Sequence, residues 1–566
     1  MMRDSAARPR LRILIGGEAG QGLVTVGGLL SRVLVRAGYR IAVTQSYQSR
    51  IRGGHNTFSV VAGGEDLAAP VGPVDILVAL NDETVSMHRG ELSDRGVVLA
   101  GGDSGPDDEG TVLRVPFEKL AGGETFVNTV ALGLLCAMLG IGEESAGEVL
   151  ESVFGKKHRD VLEENMRALG AAYEWAEKHG GEGHRLPPVK PSGKRVMLNG
   201  NEAIALGAVS AGARFCAFYP MTPSTSVPLT MIGIADRMGL VVEQAEDEIA
   251  AINMAVGASY AGAPSLVATS GGGFALMVEG LSLAGMTETP LVPVIAQRPG
   301  PATGLPTRTE QADLEFALRA GHGEFPRAIF SPGTVEECFD LTRRAFDLAE
   351  RYQSPVFVLT DQFLADSYRS VDPFDIEGLD EVIPGADPDS VETPYLRHGI
   401  TESGVSPRLL PGASRHLVVT DSDEHTEDGH LTEDLEERIR QVDKRLRKGT
   451  GLVEEALPPV AEGDGNPDIL LVSWGSTRGA VTEAARGLRN RGMSVRTLHF
   501  PQVWPLVPDH FMGELEASKR VVCVEGNALG QFAGLVRLVS GFEMEESVLR
   551  YDGLPITPEY ILERIE

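Results

Sequence analysis

Apolar residues fall along this chain in short blocks, and the blocks are separated by turn residues and by helical patterns. Leu11–Ile15 is followed by the glycine-rich turn Gly16–Gly22 and then by a 3.6-residue periodicity from Leu23 that stops at Gly38. Tyr39–Val43, Val74–Leu80 and Gly96–Ala100 repeat the strand-like pattern. Residues 1–185 therefore predict an α/β domain, and strands alternating with helices predict a parallel sheet covered on both faces. A linker rich in Pro, Gly and Lys, 180–192, closes it. Blocks at Phe215–Tyr219, Ser265–Thr269, Pro290–Ile295 and Ser354–Leu359 predict a second α/β domain over 194–371. The stretch 372–466 is polar, with the acidic run Asp421–Asp428 and a mixed-charge helical pattern near Leu431–Arg447, and reads as a solvated connector. Asp468–Gly475, Ser494–Leu498 and Lys519–Val524 predict a third α/β domain over 467–566. The expected fold class is α/β, in three domains.

Composition narrows the partners. With 51 Lys and Arg against 80 Asp and Glu, the formal charge is -29, which argues against a nucleic-acid or anionic-membrane surface. The longest apolar stretch, Thr129–Gly142, is shorter than the roughly 18 to 20 residues of a membrane helix. The start, Met-Met-Arg-Asp-Ser, lacks the apolar region of a signal peptide, so a cytoplasmic protein is expected. Cys136, Cys216, Cys338 and Cys523 are far apart, with no Cys-x-x-Cys pair, so they predict buried free thiols and no zinc or iron-sulfur ligand set. If electrons pass to a cluster, another chain must hold it.

Glycine loops offer anion sites but no complete nucleotide motif. Gly16–Gly22 lies between a strand and a helix, where backbone amides hold anions. Gly20-x-Gly22 is followed by Thr25 instead of a third glycine, and the next strand ends near Thr44-Gln45 without an acidic ribose ligand. Gly17-x-x-x-x-Gly22 leads into Leu23-Val24, without the Lys and Ser/Thr of a phosphate loop. Close packing of strand on helix is the competing explanation. Gly463-Asp464-Gly465 lies in a polar linker ahead of a strand, so no metal ligand is assigned to this chain.

Three stretches of the second domain carry candidate chemistry. Tyr219-Pro-Met-Thr-Pro223 places the Thr222 hydroxyl between two prolines that restrict the backbone, although a plain strand-exit turn has the same pattern. Thr269-Ser-Gly-Gly-Gly-Phe274 ends a strand with three glycines, so a flat ring can approach the backbone. The Pro- and Gly-punctuated loop Gln297–Asp313 holds Arg298 and Arg308, whose planar forks suit a carboxylate. Glu248 heads a run of small residues, Ile249–Gly262, with Glu246 as the neighbouring alternative.

Phe218–Ser226, Glu246–Asn253 and Gly304–Gln311 together resemble the thiamine-pyrimidine half of the 2-oxoacid:ferredoxin oxidoreductases, with Met221 where that family more often has Ile. Gly16–Gly22 with Ser46–Asn56 looks like the family's gamma domain, fused ahead of the alpha domain, and the C-terminal domain looks like that of transketolase. Gly321–Arg327 and Ile400–Arg408 look most like the alpha subunit of the 2-oxoglutarate-specific members. The resemblance implies thiamine diphosphate, with Glu248 hydrogen-bonding ring N1′ and Tyr219, Pro220, Ser270, Gly271, Gly272 and Phe274 lining the cofactor. It places Thr222 and Arg308 on the substrate carboxylate and offers His322, Arg298 and Arg327 as cations for a second one. Arg50, Arg52 and His55 are the candidates for coenzyme A. The diphosphate and Mg2+ side and a [4Fe-4S] cluster are expected in a separate beta subunit, with ferredoxin as acceptor and an (alpha-beta)2 assembly. The implied reaction is oxidative decarboxylation of 2-oxoglutarate with coenzyme A to succinyl-CoA, CO2 and reduced ferredoxin, or its reverse. The same chemistry on pyruvate or a branched-chain or aryl 2-oxoacid, and a non-catalytic scaffold for the beta chain, are the alternatives.

Overall fold

Each apolar block named above lies on a strand in the computed structural model, which describes residues 10–49, 53–70, 72–102, 105–106, 111–155, 159–179, 184–190 and 193–565. The described residues form two compact units, one running up to Leu198 with Ser367–Pro373 added, the other Asn199–Asp366 with Phe374–Glu566.

The first unit is built on a nine-stranded sheet. Its centre is Arg10–Glu18, flanked by Val74–Ala79 in parallel and His55–Gly63 in antiparallel register, with Gly17 opposite Asn56. His55–Gly63 also pairs antiparallel with Arg40–Ser46, so the sheet is mixed and not parallel as expected. The connection from Ser46 to His55 is too short for a crossover helix, so it can only return the chain antiparallel. Tyr368–Val371, which falls inside the 194–371 block, pairs instead with Arg40–Ser46 and Val196–Leu198 in this sheet. Ser370 Oγ accepts from Ile41 N at 3.0 Å, and the Arg369 guanidinium donates to the Leu67 and Ala68 carbonyls. Helices Leu23–Arg36 and Val127–Leu139 bury Val26, Leu30, Leu132 and Leu135 in the core beneath the sheet.

The second unit holds two sheets. In the larger, six parallel strands run in the order Val241–Gln244, Phe215–Phe218, Ser265–Thr269, Val292–Gln297, Val356–Asp361, Ala328–Phe330, and Gln502–Trp504 closes it antiparallel. The smaller has five strands, with Ile469–Trp474 at its centre. One apolar cluster takes Ile295 and Phe357 from the first sheet and Trp474 and Phe500 from the second, so both share a core. Cys136, Cys216, Cys338 and Cys523 are buried and free, as their spacing predicts.

The stretch 372–466 is not solvated throughout: residues 375–381 are exposed, whereas Arg397, His398, Lys444 and Lys448 are buried. Helix Leu435–Glu454 carries Lys444 and Lys448, both buried, onto the carboxylate of buried Glu288, with Lys444 Nζ 2.5 Å from Oε1 and Lys448 on Oε2. His398 Nδ1 meets Oε1 at 3.0 Å, and buried Arg397 donates to the Glu288 carbonyl at 2.8 Å. Polar residues here are buried because each finds an opposite charge or a hydrogen-bond acceptor, a pairing that local polarity does not register.

Candidate functional site

In an open parallel sheet, ligands bind beyond the carboxyl ends of the strands, where the strand order reverses. That reversal falls between Phe215–Phe218 and Ser265–Thr269. The three stretches singled out in the sequence leave the sheet there, from Phe218, Thr269 and Gln297.

Glu248 opens helix Glu248–Tyr260, and Asp247 caps it by accepting from Ala250 N at 2.7 Å. Because Asp247 takes the capping role, the Glu248 side chain turns inward and is 4% exposed, whereas Glu246 faces solvent. Its Oε1 is buried with no hydrogen-bond partner. An unpartnered buried carboxylate oxygen costs free energy, so this atom marks where a donor from a ligand belongs. The glycines beside it leave the room: a Cβ on Gly273 would stand 2.7 Å from Glu248 Oε1 and 2.3 Å from Thr269 Oγ1. On Gly271 it would stand 2.4 Å from Asp313 Oδ2. Ser270 Oγ is likewise buried and unpartnered. Glu248, Ser270, Gly271 and exposed Gly272 therefore form a cradle for a flat group with a hydrogen-bond donor at its edge, and the ring N1′ side of thiamine diphosphate fits it.

Tyr219 and Pro220 are exposed on the adjoining loop, followed by a cis Thr222–Pro223 bond. Arg298 Nη1 donates to the Thr222 carbonyl at 2.5 Å, and Asn201 Nδ2 to that of Pro223 at 2.8 Å. Asp313 receives its placement from Gln297, whose Oε1 accepts from Asp313 N at 3.0 Å. Burial pushes the Asp313 carboxyl up to about 6 against the pull of Arg298. Arg308 is half-buried, with its stem over Gly553, where a Cβ would stand 3.1 Å from Arg308 Cβ. Buried Gln311 ties this loop to the smaller sheet: Nε2 donates to the Trp474 carbonyl at 3.0 Å and Oε1 accepts from Gly526 N at 2.8 Å. Asp313 and Gln311 lie inside a loop already singled out, but Gly271 against Asp313 and the Trp474 and Gly526 partners of Gln311 lie outside it, and sequence reading missed both.

Three comparisons bear on this site. Residues 206–444 match the family described as pyruvate flavodoxin/ferredoxin oxidoreductase, thiamine diphosphate-binding. Residues 12–175 match pyruvate ferredoxin/flavodoxin oxidoreductase, and 461–560 the transketolase C-terminal domain. The chain is 31% identical to the 2-oxoacid:ferredoxin oxidoreductase subunit alpha of a Sulfolobus species, over 98% of this chain and 96% of that one. This chain belongs to the 2-oxoacid:ferredoxin oxidoreductases. Among other members of the family, it is 30% identical to the 2-oxoglutarate oxidoreductase subunit KorA of Mycobacterium tuberculosis, over 93% and 86% of the two chains. It superposes with TM-score 0.92 and 31% identity on a solved 2-oxoglutarate:ferredoxin oxidoreductase from Magnetococcus marinus with 2-oxoglutarate, coenzyme A and succinyl-CoA bound, covering 99% of each chain. The three α/β domains expected from the pattern correspond to the three family matches.

Not every residue assigned from the oxidoreductase resemblance reaches this site. Phe274 is fully buried, with its ring 5.1 Å from Phe316 and 5.8 Å from Phe357, so it supports the cradle from the core and does not line a cofactor. His322 N donates to Ser282 Oγ at 2.8 Å; Ser282 lies eleven residues along helix Gly271–Met286 from Gly271, roughly 16 Å at the α-helical rise. His322 instead lines a separate groove of about 340 Å³ with Arg438 and Arg445. Arg327 is buried, stacked over Phe325 at 4.5 Å, and donates to the Ala317 carbonyl at 3.0 Å. Of the three cations offered for a second carboxylate, only Arg298 stands beside Thr222.

In the first unit, Gly16 and Gly22 have packing reasons of their own. A Cβ on Gly16 would stand 2.4 Å from Thr84 Cγ2, and one on Gly22, at φ +78°, 2.0 Å from Asn128 Nδ2. His55 Nε2 lies 2.7 Å from His88 Nε2, and His88 Nδ1 lies 2.6 Å from Glu91 Oε1. A proton on His88 Nδ1, facing the carboxylate, makes His88 Nε2 the acceptor and His55 Nε2 the donor, leaving buried His55 Nδ1 as an acceptor without a partner. Arg50 and Arg52 lie outside the described residues.

Proposed function

We propose that this chain is the alpha subunit of a cytoplasmic 2-oxoglutarate:ferredoxin oxidoreductase. With a beta subunit it converts 2-oxoglutarate, coenzyme A and oxidised ferredoxin to succinyl-CoA, CO2 and reduced ferredoxin, or runs the reverse carboxylation. The observation that carries the reading is Glu248: a buried carboxylate oxygen without a partner, facing a glycine cradle at the reversal point of a parallel sheet. The ligands named for the solved relative from Magnetococcus marinus support 2-oxoglutarate as the substrate.

Thiamine diphosphate, when bound, supplies the nucleophilic carbon and the electron sink for decarboxylation. Glu248 holds the proton at ring N1′, with Tyr219, Pro220, Ser270, Gly271 and Gly272 around the ring. Thr222 and Arg308 hold the substrate carboxylate, and that fixed orientation is an entropic contribution to the rate. Arg298 is this chain's cation for a second carboxylate. His55 is the described candidate for coenzyme A, and Arg50 and Arg52 are candidates from the sequence alone. The beta subunit contributes the diphosphate and Mg2+ side and the [4Fe-4S] cluster in an (alpha-beta)2 complex.

The test is to purify the chain with its beta subunit and follow coenzyme A-dependent reduction of a viologen dye by 2-oxoglutarate, pyruvate and branched-chain 2-oxoacids. Preference for 2-oxoglutarate is expected. Preference for another 2-oxoacid moves the substrate and keeps the chemistry. Activity undiminished by Glu248→Gln would leave this chain a scaffold.

A further inference from the structure

The segment carrying Arg308, from Leu305 to Gln311, has neither strand nor helix of its own. Pro301, Gly304 and Pro306 interrupt any regular ladder, so a side chain here is only as well placed as the bonds that pin the loop. Those bonds arrive from the C-terminal domain. The buried Gln311 carboxamide enters a slot between Gly475 and Gly526, where a Cβ would stand 2.7 Å from its Nε2 and 3.2 Å from its Oε1 respectively. Besides its side-chain bonds to the Trp474 carbonyl and Gly526 N, Gln311 N donates to the Gly526 carbonyl at 2.6 Å, and Asn527 Nδ2 donates to the Gln311 carbonyl at 3.1 Å. Both backbone groups of this residue are thus held as well. Behind the slot, buried Glu525 accepts from Trp474 Nε1 at 3.2 Å and from Asn527 Nδ2 at 2.9 Å, which fixes two of the residues that Gln311 meets. Nearer Arg308, Thr309 N donates to the Gly553 carbonyl at 3.2 Å.

We propose that Gln311 is a positioning residue for the substrate: by pinning the loop beside Arg308, it fixes where that guanidinium stands. A domain that holds none of the residues assigned to cofactor or substrate then sets the grip on the 2-oxoacid. The inference rests on the substrate role of Arg308 proposed above. An arginine on an unpinned loop gives up backbone and side-chain freedom each time it closes on a carboxylate, whereas on a pinned loop the backbone part is already lost. A buried amide with four hydrogen bonds around one residue supplies that order before substrate arrives.

The cofactor cradle has supports of its own. Glu248 stands on helix Glu248–Tyr260, and Asp313 is anchored by Gln297 Oε1. Loosening Gln311 therefore weakens the hold on substrate and leaves that on the cofactor. A residue that only kept the domain folded would instead lower kcat through a smaller folded fraction, at unchanged KM.

The experiment uses the assembled alpha-beta complex and the 2-oxoacid that the wild-type complex prefers. Gln311→Met keeps the length of the side chain and removes its hydrogen bonds. KM for the 2-oxoacid is expected to rise roughly 10- to 100-fold, the scale of a displacement of about 1 Å, with kcat within about threefold of wild type. Thiamine diphosphate affinity, measured by calorimetry, should stay at the wild-type value. Arg308→Met is expected to raise KM on its own. Adding Gln311→Met to it should change kcat/KM by less than about twofold further, because the loop then has no guanidinium to place. Gly526→Ala presses a methyl toward Gln311 Oε1 while keeping every hydrogen-bonding group; it is expected to raise KM roughly threefold and covers the case in which Gln311→Met fails to fold. Unchanged KM in Gln311→Met, or in Gly526→Ala where only that variant folds, overturns the inference, and so does an effect that adds in full to that of Arg308→Met. Unchanged KM in Arg308→Met overturns the substrate site itself and this inference with it.

Discussion

Gly273 sits where the absence of one carbon keeps the candidate site open. A methyl there would press on Thr269 Oγ1 and Glu248 Oε1 together, and neither strand nor helix can retreat from a fully buried position. Gly273→Ala is therefore expected to weaken thiamine diphosphate binding by roughly 100-fold, since displacing a positioned group by about 1 Å has that scale of effect. Calorimetric titration of the complex with the cofactor measures it. Glu248→Gln should cut turnover by roughly 100-fold or more while leaving the melting temperature unchanged or slightly higher, because it removes an unpartnered buried charge. Asp361 makes a pH prediction. Burial pushes its carboxyl from 3.8 to about 6 against bonds from Ser476 and Leu364 N. The folded state then holds this proton to higher pH than the unfolded state, so the contribution of Asp361 to stability falls as pH rises from about 4 to 6. Relative to Asp361→Asn, wild type should lose up to about 3 kcal/mol across that window, measured by urea denaturation at pH 4.5 and 7.5.

Secondary-structure elements were the most legible level, because a strand or helix announces itself through neighbours two to four residues away. Pairing between them was less legible. Nothing local in His55–Gly63 specifies that it lies antiparallel between two other strands, and its first residues were read as a cofactor loop. Ser367–Pro373 follows a strand of one unit and completes the sheet of the other. Helix Leu435–Glu454 shows the same limit in its charges: Lys444 and Lys448 look solvated on a helical projection and are buried on Glu288 in the fold. Lys448→Met should destabilise the second unit by about 3 kcal/mol or more, because a buried anion loses one of its two ammonium partners. Thermal unfolding checks this, with exposed Glu436→Gln as the control expected to change little.

At the scale of the whole molecule, the helices beginning at Glu248 and Gly271 pack closely, with Ile252 in the gap left by Gly280. Their outward sides leave Ile249, Met254 and Leu276 between 43% and 51% exposed, beside an unpartnered carboxylate. Exposed apolar groups next to an incomplete site fit a surface covered by a partner, here the proposed beta subunit. Replacing Ile249 and Leu276 by Glu should abolish the complex in size-exclusion chromatography with light scattering while the isolated chain stays folded. No helix among the described residues is long and apolar enough to cross a membrane. The order of residues alone determined the α/β class, the strand positions, and the motifs carrying Thr222, Glu248 and Arg308, since each is written in a local pattern. Tertiary structure decided which carboxylate is buried, placed Arg298 on Thr222 and Asp313 against Gly271, moved His322 away from the site, put Phe274 in the core behind it, and buried part of the polar stretch. Those outcomes depend on contacts between residues far apart in the chain, where charge pairing and steric fit act without leaving a local periodicity.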